Sequence, residues 1–372
     1  MTRRPYLRHL PSLLLTGAAI ASMLAFSGAA NAQSSVTLYG IVDAGVGYVS
    51  NIGGKSQFMQ STSVMQADRL GFKGVENLGG GTSAIFVLEN GFSTSTGALG
   101  QGGKLFGRQA YVGLKDDRYG TLTMGNQYDY MGATLGMYET STWLLGQYSD
   151  HPFANDRANS LRLANSVQYM TPVWSGFQFG AMYGFSNLTG DINGEGRAYS
   201  YSATYNAGPW NVAAAYTEVS GSASSLDVSS LTGLPSGSVV VGGSYLRTMG
   251  IATSYKFSRT FVYAMYTQSL YAGTRGKDIE NVMFRNGQVG FTYFLTPALQ
   301  AAAGYTMTAV GATKLHQVST TLDYALSKRT DVYAMLLAEH AQGNNARAAI
   351  IGIGTSSNAN QVVADIGIRH KF

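Results

Sequence analysis

The sequence predicts an all-β protein, a 16-stranded antiparallel β-barrel that spans a membrane. The first observation is composition: of 372 residues, 47 are glycine and only 12% are charged. Ordinary soluble domains carry about twice that share of charge and roughly half that share of glycine. Such a composition is typical of a β-protein whose outer surface is apolar.

The second observation is strict alternation of apolar with small or polar residues. The alternation is clear at Phe177, Phe179, Ala181, Tyr183 and Phe185, where apolar side chains take every second place. Such a strand has one apolar face and one small or polar face. About sixteen alternating segments follow one another, beginning near Val36, Val64, Thr82, Leu105, Gly120, Arg162, Gly176, Arg197, Pro209, Gly243, Thr260, Phe284, Ala298, Lys314, Thr330 and Gln361.

The third observation is that the connections between these segments alternate in length. Short turns alternate with longer connections rich in Gly, Ser and Asn, which fall around 50–63, 93–104, 128–161, 187–196, 220–242, 272–283, 310–313 and 342–360. An even number of strands with short turns at one end and long loops at the other is typical of bacterial outer-membrane barrels. Sixteen strands enclose an aqueous channel rather than a packed core.

The N-terminus has the features of an export signal. A basic start at residues 3–8 precedes an apolar stretch at 13–26, and small residues then end in the A-x-A-like site at 30–32. We expect a signal peptide over 1–32 and one barrel domain over 33–372. The alternative, a membrane anchor, is disfavoured because the apolar stretch is shorter than the ~20 residues of a spanning helix.

Charge and cysteine content exclude several other classes. The chain has no cysteine, so disulfides and cysteine-bound metals are impossible. Three of the 25 basic residues lie in the first ten positions, which leaves 22 against 20 acidic residues in the remainder. This near-neutral balance gives no reason to expect a nucleic-acid partner.

Two further classes are weighed against a barrel channel. A soluble β-sandwich or secreted adhesin also alternates, but it shows a charged face to water, whereas here the face opposite the aromatics is mostly Gly, Ser, Thr, Asn and Gln. An outer-membrane barrel enzyme would need a nucleophile and a base. The histidines of the mature chain are isolated from such motifs, so no enzyme activity, cofactor or metal is expected.

Several segments resemble the general porins of Gram-negative bacteria, specifically the beta-proteobacterial type. The resemblance covers essentially the whole mature chain and is carried by residues 33–43, 68–81, 106–114 and 169–172 and by the terminal Phe372. It implies a homotrimer of barrels in the outer membrane, each with a water-filled channel narrowed by an inward-folded third loop. It also implies outer-membrane lipid, lipopolysaccharide and the outer-membrane assembly machinery as partners, with small hydrophilic solutes and ions passing by diffusion.

The resemblance also assigns candidate residues to a basic wall at the narrowest part of the channel. Matched motif by motif, the wall comprises Arg69, Arg108 and Arg162, and Lys73 shares a face with Arg69. Strict alternation would turn Arg108 outward, so it needs a bulge or a strand end to point inward. Asn126 stands where the family usually has arginine, so we expect only a mild anion preference.

The long connection over 128–161 supplies candidate acidic residues, because loops of this length are usually functional. If it folds into the channel, its carboxylates would face the basic wall, and Glu139 and Asp150 are the favoured pair. Glu89 is a further candidate for the channel interior. At the C-terminus the outward face of the last segment ends on Phe372, where the resemblance places the signal read by the assembly machinery.

Overall fold

The computed structural model describes residues 34–158, 161–189, 194–221, 226–232, 237–273 and 281–372. The predicted signal peptide, residues 1–32, lies outside the described residues. The predicted 16-stranded antiparallel barrel is confirmed.

The barrel wall consists of strands β1 to β16, each paired antiparallel with its neighbours in the chain. Pairing of β1 with β16, from Ile41 opposite Lys371 to Val49 opposite Val363, closes the barrel. The strands are β1 (Ser35–Ile52), β2 (Lys55–Thr62 and Arg69–Gly79), β3 (Thr82–Gly91), β4 (Gln109–Asp116), β5 (Gly120–Tyr128), β6 (Arg162–Met170), β7 (Phe177–Gly184), β8 (Ala198–Ala207), β9 (Trp210–Ser220), β10 (Tyr245–Lys256), β11 (Thr260–Ala272), β12 (Val282–Phe294), β13 (Leu299–Val310), β14 (Thr313–Ala325), β15 (Thr330–Gln342) and β16 (Asn360–Lys371).

The distribution of polar and apolar side chains across the wall is the reverse of that in a soluble protein. In β14, Gln317, Ser319 and Thr321 are buried, whereas Val318 and Leu322 are about half exposed. The same inside-polar, outside-apolar alternation recurs around the barrel. The apolar side chains therefore face the membrane and the polar ones face the lumen.

Strand β2 is interrupted, which the sequence did not predict. The first half of β1 pairs with Arg69–Val75 and the second half with Lys55–Thr62, so two segments fill one strand position. Residues 63–68 leave the sheet between them, and Val64 and Met65 become buried. The long connection expected around 50–63 is therefore wrong, since the chain turns at 53–54 and continues as a strand.

The connections otherwise follow the predicted alternation of short and long. The connection around 310–313 is another exception, because only residues 311–312 separate β13 from β14. The connection between β9 and β10 carries a small hairpin, Leu226–Asp227 with Val240–Val241, and a 3-10 turn at Ser229–Thr232.

Residues 129–158, between β5 and β6, form what we call the crossing segment. It consists of short helical turns at Met131–Leu135, Gly136–Tyr138, Thr140–Trp143, Gln147–Ser149 and Pro152–Ala154. Among the described residues, no helix is long and apolar enough to cross a membrane.

Candidate functional site in the barrel lumen

Arg108 reaches the lumen because it lies at a strand end. It directly precedes β4, and its backbone N–H donates to the carbonyl of Glu89 at 3.2 Å. Its guanidinium Nε lies 2.7 Å from Glu89 Oε1, and the arginine is only 5% exposed. Of the two geometries that the sequence left open, a bulge or a strand end, the structure has the strand end.

Tyr128, the last residue of β5, joins Arg108 to Arg162. Its hydroxyl accepts a hydrogen bond from Arg108 Nη2 at 2.8 Å and another from Arg162 Nη2. The Arg162 guanidinium also lies over the Tyr128 ring, 4.4 Å from the centroid. These contacts hold two cations side by side, and Glu89 partly neutralises them.

Arg69 and Lys73 complete the group on β2. Arg69 Nε donates to the carbonyl of Ala67 at 3.0 Å, and its charge interacts with Arg108 and Glu89. Lys73 is exposed, with Nζ 5.6 Å from the Tyr39 ring centroid, while the Tyr39 hydroxyl donates to Glu89 at 2.9 Å. We call this group, Arg69, Lys73, Glu89, Arg108, Tyr128 and Arg162, the basic wall.

Asn126 lies beside the basic wall and carries no charge. The register of β5 shifts between Gly125 and Gln127, and Asn126 Nδ2 donates to the carbonyl of Gly107 at 3.2 Å. It therefore braces the chain that leads into Arg108 and adds no cation to the wall.

The crossing segment is attached to the inner face of the barrel from its first residues. Asp129 accepts a hydrogen bond from the Thr217 hydroxyl of β9 at 2.5 Å, and the Tyr130 N–H donates to the Ser200 hydroxyl of β8 at 2.8 Å. Gly180 of β7 leaves room for the Tyr130 ring, since any Cβ at this position would collide with it. Burial raises the pKa of Asp129 to about 6.

A buried polar cluster attaches the C-terminal part of the segment to β11 and β12. Asp156 Oδ2 lies 2.6 Å from His151 Nδ1 and accepts from the Thr267 hydroxyl at 2.6 Å. Asn155 and Asn286 exchange amide hydrogen bonds of 3.1 and 2.8 Å. These partners are fully buried, so the contacts fix the segment tightly to the wall.

Glu139 lies in this cluster rather than on the open lumen. It is only 2% exposed, and its Oε1 is 3.8 Å from His151 Nδ1. Burial, followed by the adjacent Asp150 and Asp156 carboxyl groups, raises its pKa well above the ordinary value. Asp150 is partly exposed, so it is the member of the predicted acidic pair that retains access to water.

The cluster also has the composition of a metal site. Single donor atoms of Glu139, His151 and Asp156 lie within 4.8 Å of one another. His151 and Asp156 are already hydrogen-bonded to each other, and Thr267 is a further partner of Asp156. The geometry is that of a hydrogen-bonded anchor for the segment.

The central part of the crossing segment, residues 145–147, meets the interruption of β2. The Gln147 N–H donates to the carbonyl of Val64 at 2.6 Å. Leu145 packs where Gly304 of β13 has no side chain, and Gly146 lies against Met335 of β15. The inward bend of residues 63–68 is thus a docking point for the segment.

Sequence reasoning missed a second charged group at the short-turn end of the lumen. Arg369 of β16 donates two hydrogen bonds of 3.1 Å to Asp331, and Asp323 lies 3.8 Å away. The alternation of β16 was a usable signal, because it turns Arg369 inward when Ile368 and His370 face outward. Two carboxylates, Asp331 and Asp323, therefore surround this one arginine, whereas the basic wall holds more cations than carboxylates.

Comparison with known proteins supports the barrel fold and identifies the family. A family model described as Gram-negative porin matches residues 18–344. The chain belongs to the Gram-negative porin family. An outer membrane porin of Bordetella pertussis is 30% identical to it over 95% of this chain and 98% of that protein.

Two solved structures share the fold of this porin. The anion-selective porin of Comamonas acidovorans matches with a TM-score of 0.75 and 24% identity over 91% of this chain and 100% of the other. A trimer form of OmpT from Vibrio cholerae matches with a TM-score of 0.66 and 13% identity over 91% and 99%. Membership of this family makes the protein an outer-membrane channel of a Gram-negative bacterium rather than an enzyme.

Proposed function

We propose that this porin passes small hydrophilic solutes and ions with a mild preference for anions. The observation that carries the preference is the basic wall, in which four cations, Arg69, Lys73, Arg108 and Arg162, accompany the single carboxylate of Glu89. Charges at a narrow point are strongly felt because low-dielectric walls focus their field. The Comamonas acidovorans neighbour is described as anion-selective, and the proposal extends that property to this chain.

The crossing segment is proposed to narrow the channel opposite the basic wall. Its attachment to the inner faces of β8 to β13 supports this placement. Asp150 is the acidic residue proposed to face the basic wall across the constriction, while Glu139 is proposed to hold the segment in place. Opposed charges would impose a transverse field on solutes that carry a dipole.

The assembled state is proposed to be a homotrimer, in line with the trimer form of the Vibrio cholerae neighbour. We further propose removal of residues 1–32 on export, recognition of Phe372 by the assembly machinery, and contact of the outer rim with lipopolysaccharide. No metal or other cofactor is part of the proposed mechanism.

A planar-bilayer recording under a salt gradient tests the channel and its preference together. We expect stepwise insertion of open channels and a reversal potential with the sign of anion preference. Because the Debye length falls from about 10 Å at 0.1 M to about 3 Å at 1 M salt, the preference should weaken as salt is added. Open channels with a cation-selective or neutral reversal potential would contradict the role of the basic wall and leave the channel itself intact.

A further inference from the structure

The membrane-facing surface of β9 to β13 contains a groove of about 740 Å³ near the short-turn end of the barrel. Its floor lies at Ala264 and Ala303, where the wall lacks large side chains. Trp210, Tyr255, Phe291 and Tyr305 line it and rise above the floor as aromatic side walls. We call this feature the outer groove.

The outer groove needs an apolar occupant. Its lining is apolar on a surface that faces lipid, and apolar cavities do not hold ordered water. Its depth is set by two alanines between large neighbours, since Ala264 pairs with Val289 and Ala303 with Phe291. A flexible hydrocarbon chain fits an elongated apolar space of this kind.

Basic charge lies where the headgroup of such a chain would be. The turn between β10 and β11 lies directly below the groove and contains Arg259, which is exposed and has no acidic partner among the described residues. Lys256 lies in the same turn region, but alternation directs it to the lumen, as it pairs with Phe261. The neighbouring turns at 208–209 and 295–298 contain no acidic residue.

The geometry points to a binding site for an anionic phospholipid of the periplasmic leaflet. One acyl chain would occupy the outer groove, with the phosphate held by Arg259. Short turns face the periplasm in outer-membrane barrels, and that leaflet consists of phospholipid. This inference rests on the barrel and its membrane, and ion passage through the lumen does not enter it.

The three tryptophans of the chain provide a direct test and a matched control. Trp210 lines the groove, whereas Trp174 is 54% exposed in the turn between β6 and β7, where no residue of 171–176 is charged. Trp143 lies in the crossing segment. One variant, Trp143→Phe with Trp174→Phe, retains only Trp210, and a second, Trp143→Phe with Trp210→Phe, retains only Trp174.

Each variant is reconstituted into vesicles in which phosphatidylglycerol or phosphatidylcholine carries bromine on the upper part of an acyl chain. Quenching of tryptophan fluorescence gives the relative affinity of the two lipids at that tryptophan. We expect Trp210 to favour phosphatidylglycerol about fivefold, the effect of one basic residue at a membrane surface, and Trp174 to show no such preference. Arg259→Gln should abolish the preference at Trp210.

Filling the groove separates its role from that of charge. Ala264→Leu with Ala303→Leu adds apolar side chains that face lipid, so the barrel should fold, and the preference at Trp210 should fall to that at Trp174. An equal preference at both tryptophans, or one that survives Arg259→Gln, would overturn the site. If neither brominated lipid quenched Trp210, the result would also overturn the site and show that another protein copy covers this face.

Discussion

Tyr128 is the residue on which the geometry of the basic wall depends. Like charges repel, yet Arg108 and Arg162 share one hydroxyl as their acceptor, and Glu89 offsets part of their charge. A tyrosine can do this without adding a negative charge that would cancel the field. The wall thus combines fixed side-chain positions with an excess of positive charge.

Charge reversal at two positions tests the wall. Arg69→Glu combined with Arg162→Glu should change the sign of the reversal potential from anion to cation preference, and conductance should change more at 0.1 M than at 1 M salt because of screening. A planar-bilayer recording measures both. The control, Lys55→Glu with Lys104→Glu, reverses two exposed charges outside the wall and should shift selectivity far less.

Loss of the folded barrel in the Arg69→Glu, Arg162→Glu variant would show that these two arginines face lipid, where a charge at the midplane costs folding energy. A folded channel with unchanged selectivity would place the constriction elsewhere.

Asp129 gives the attachment of the crossing segment a defined pH dependence. Its pKa is about 6 in the folded protein because the carboxyl group is buried, against about 3.9 in an unfolded chain. Below both values the group is neutral in both states. As pH rises from 4 to 6 the unfolded chain ionises first, so the folded state progressively loses stability.

We therefore expect Asp129→Asn to raise the thermal midpoint at pH 7.5 and to lose that advantage towards pH 4. The pKa difference corresponds to on the order of 3 kcal/mol at neutral pH. Circular dichroism melts across this range provide the measurement, with Asp117→Asn in an exposed turn as control. A variant less stable than the parent at pH 7.5 would mean that the ionised carboxylate is needed to accept the Thr217 and Gly132 hydrogen bonds.

Among the elements, the strands could be predicted from sequence and the crossing segment could not. The strands alternate because each side chain faces either lipid or the lumen. The apolar Phe177 and the polar Gln178 therefore already indicate which side of the wall each one occupies. The partners of the segment are remote: Asn155 contacts Asn286, which lies 131 positions away. Glu139 was expected on the lumen because no local pattern reveals that it is buried beside His151 and Asp156.

The interruption of β2 escaped prediction for a related reason. Val64 and Met65 read as the start of a strand, yet they turn inward and pack with Leu144 and Tyr148 of the crossing segment. Their apolar side chains make a contact inside the barrel. The alternation pattern cannot distinguish such residues from the apolar residues of a membrane-facing strand.

Phe372, the residue that follows β16, is proposed to serve two purposes. Phe372 and Gly40 exchange backbone hydrogen bonds of 3.1 Å, and the Phe372 ring covers the Cα of Gly40. The first purpose is closure of the barrel, and the second is the proposed recognition by the assembly machinery.

Two variants separate these purposes. Deletion of Phe372 removes both the ring and the two hydrogen bonds, worth about 1 kcal/mol each, whereas Phe372→Ala retains the backbone pairing. We expect both to reduce the amount of barrel in the outer membrane severalfold, while protein refolded in detergent loses little stability. Parental surface levels for Phe372→Ala would rule out recognition of the ring.

For the whole molecule, the predicted processing and assembly can be measured on purified protein. We expect the mature chain to begin at Gln33 and to run as a heat-dissociable trimer in mild detergent. N-terminal sequencing and gel mobility before and after boiling give the two answers. Retention of Met1 would contradict the signal peptide, and a monomer in every mild detergent would contradict the trimer.

The crossing segment has a mechanical consequence for the molecule. A hollow cylinder with a wall one strand thick flattens easily when squeezed from the side. Here an internal strut joins β8 and β9 to β11, β13 and the bend in β2. The cross-section of the channel should therefore stay nearly circular as lateral pressure in the bilayer changes. We expect membrane tension to leave the conductance almost constant.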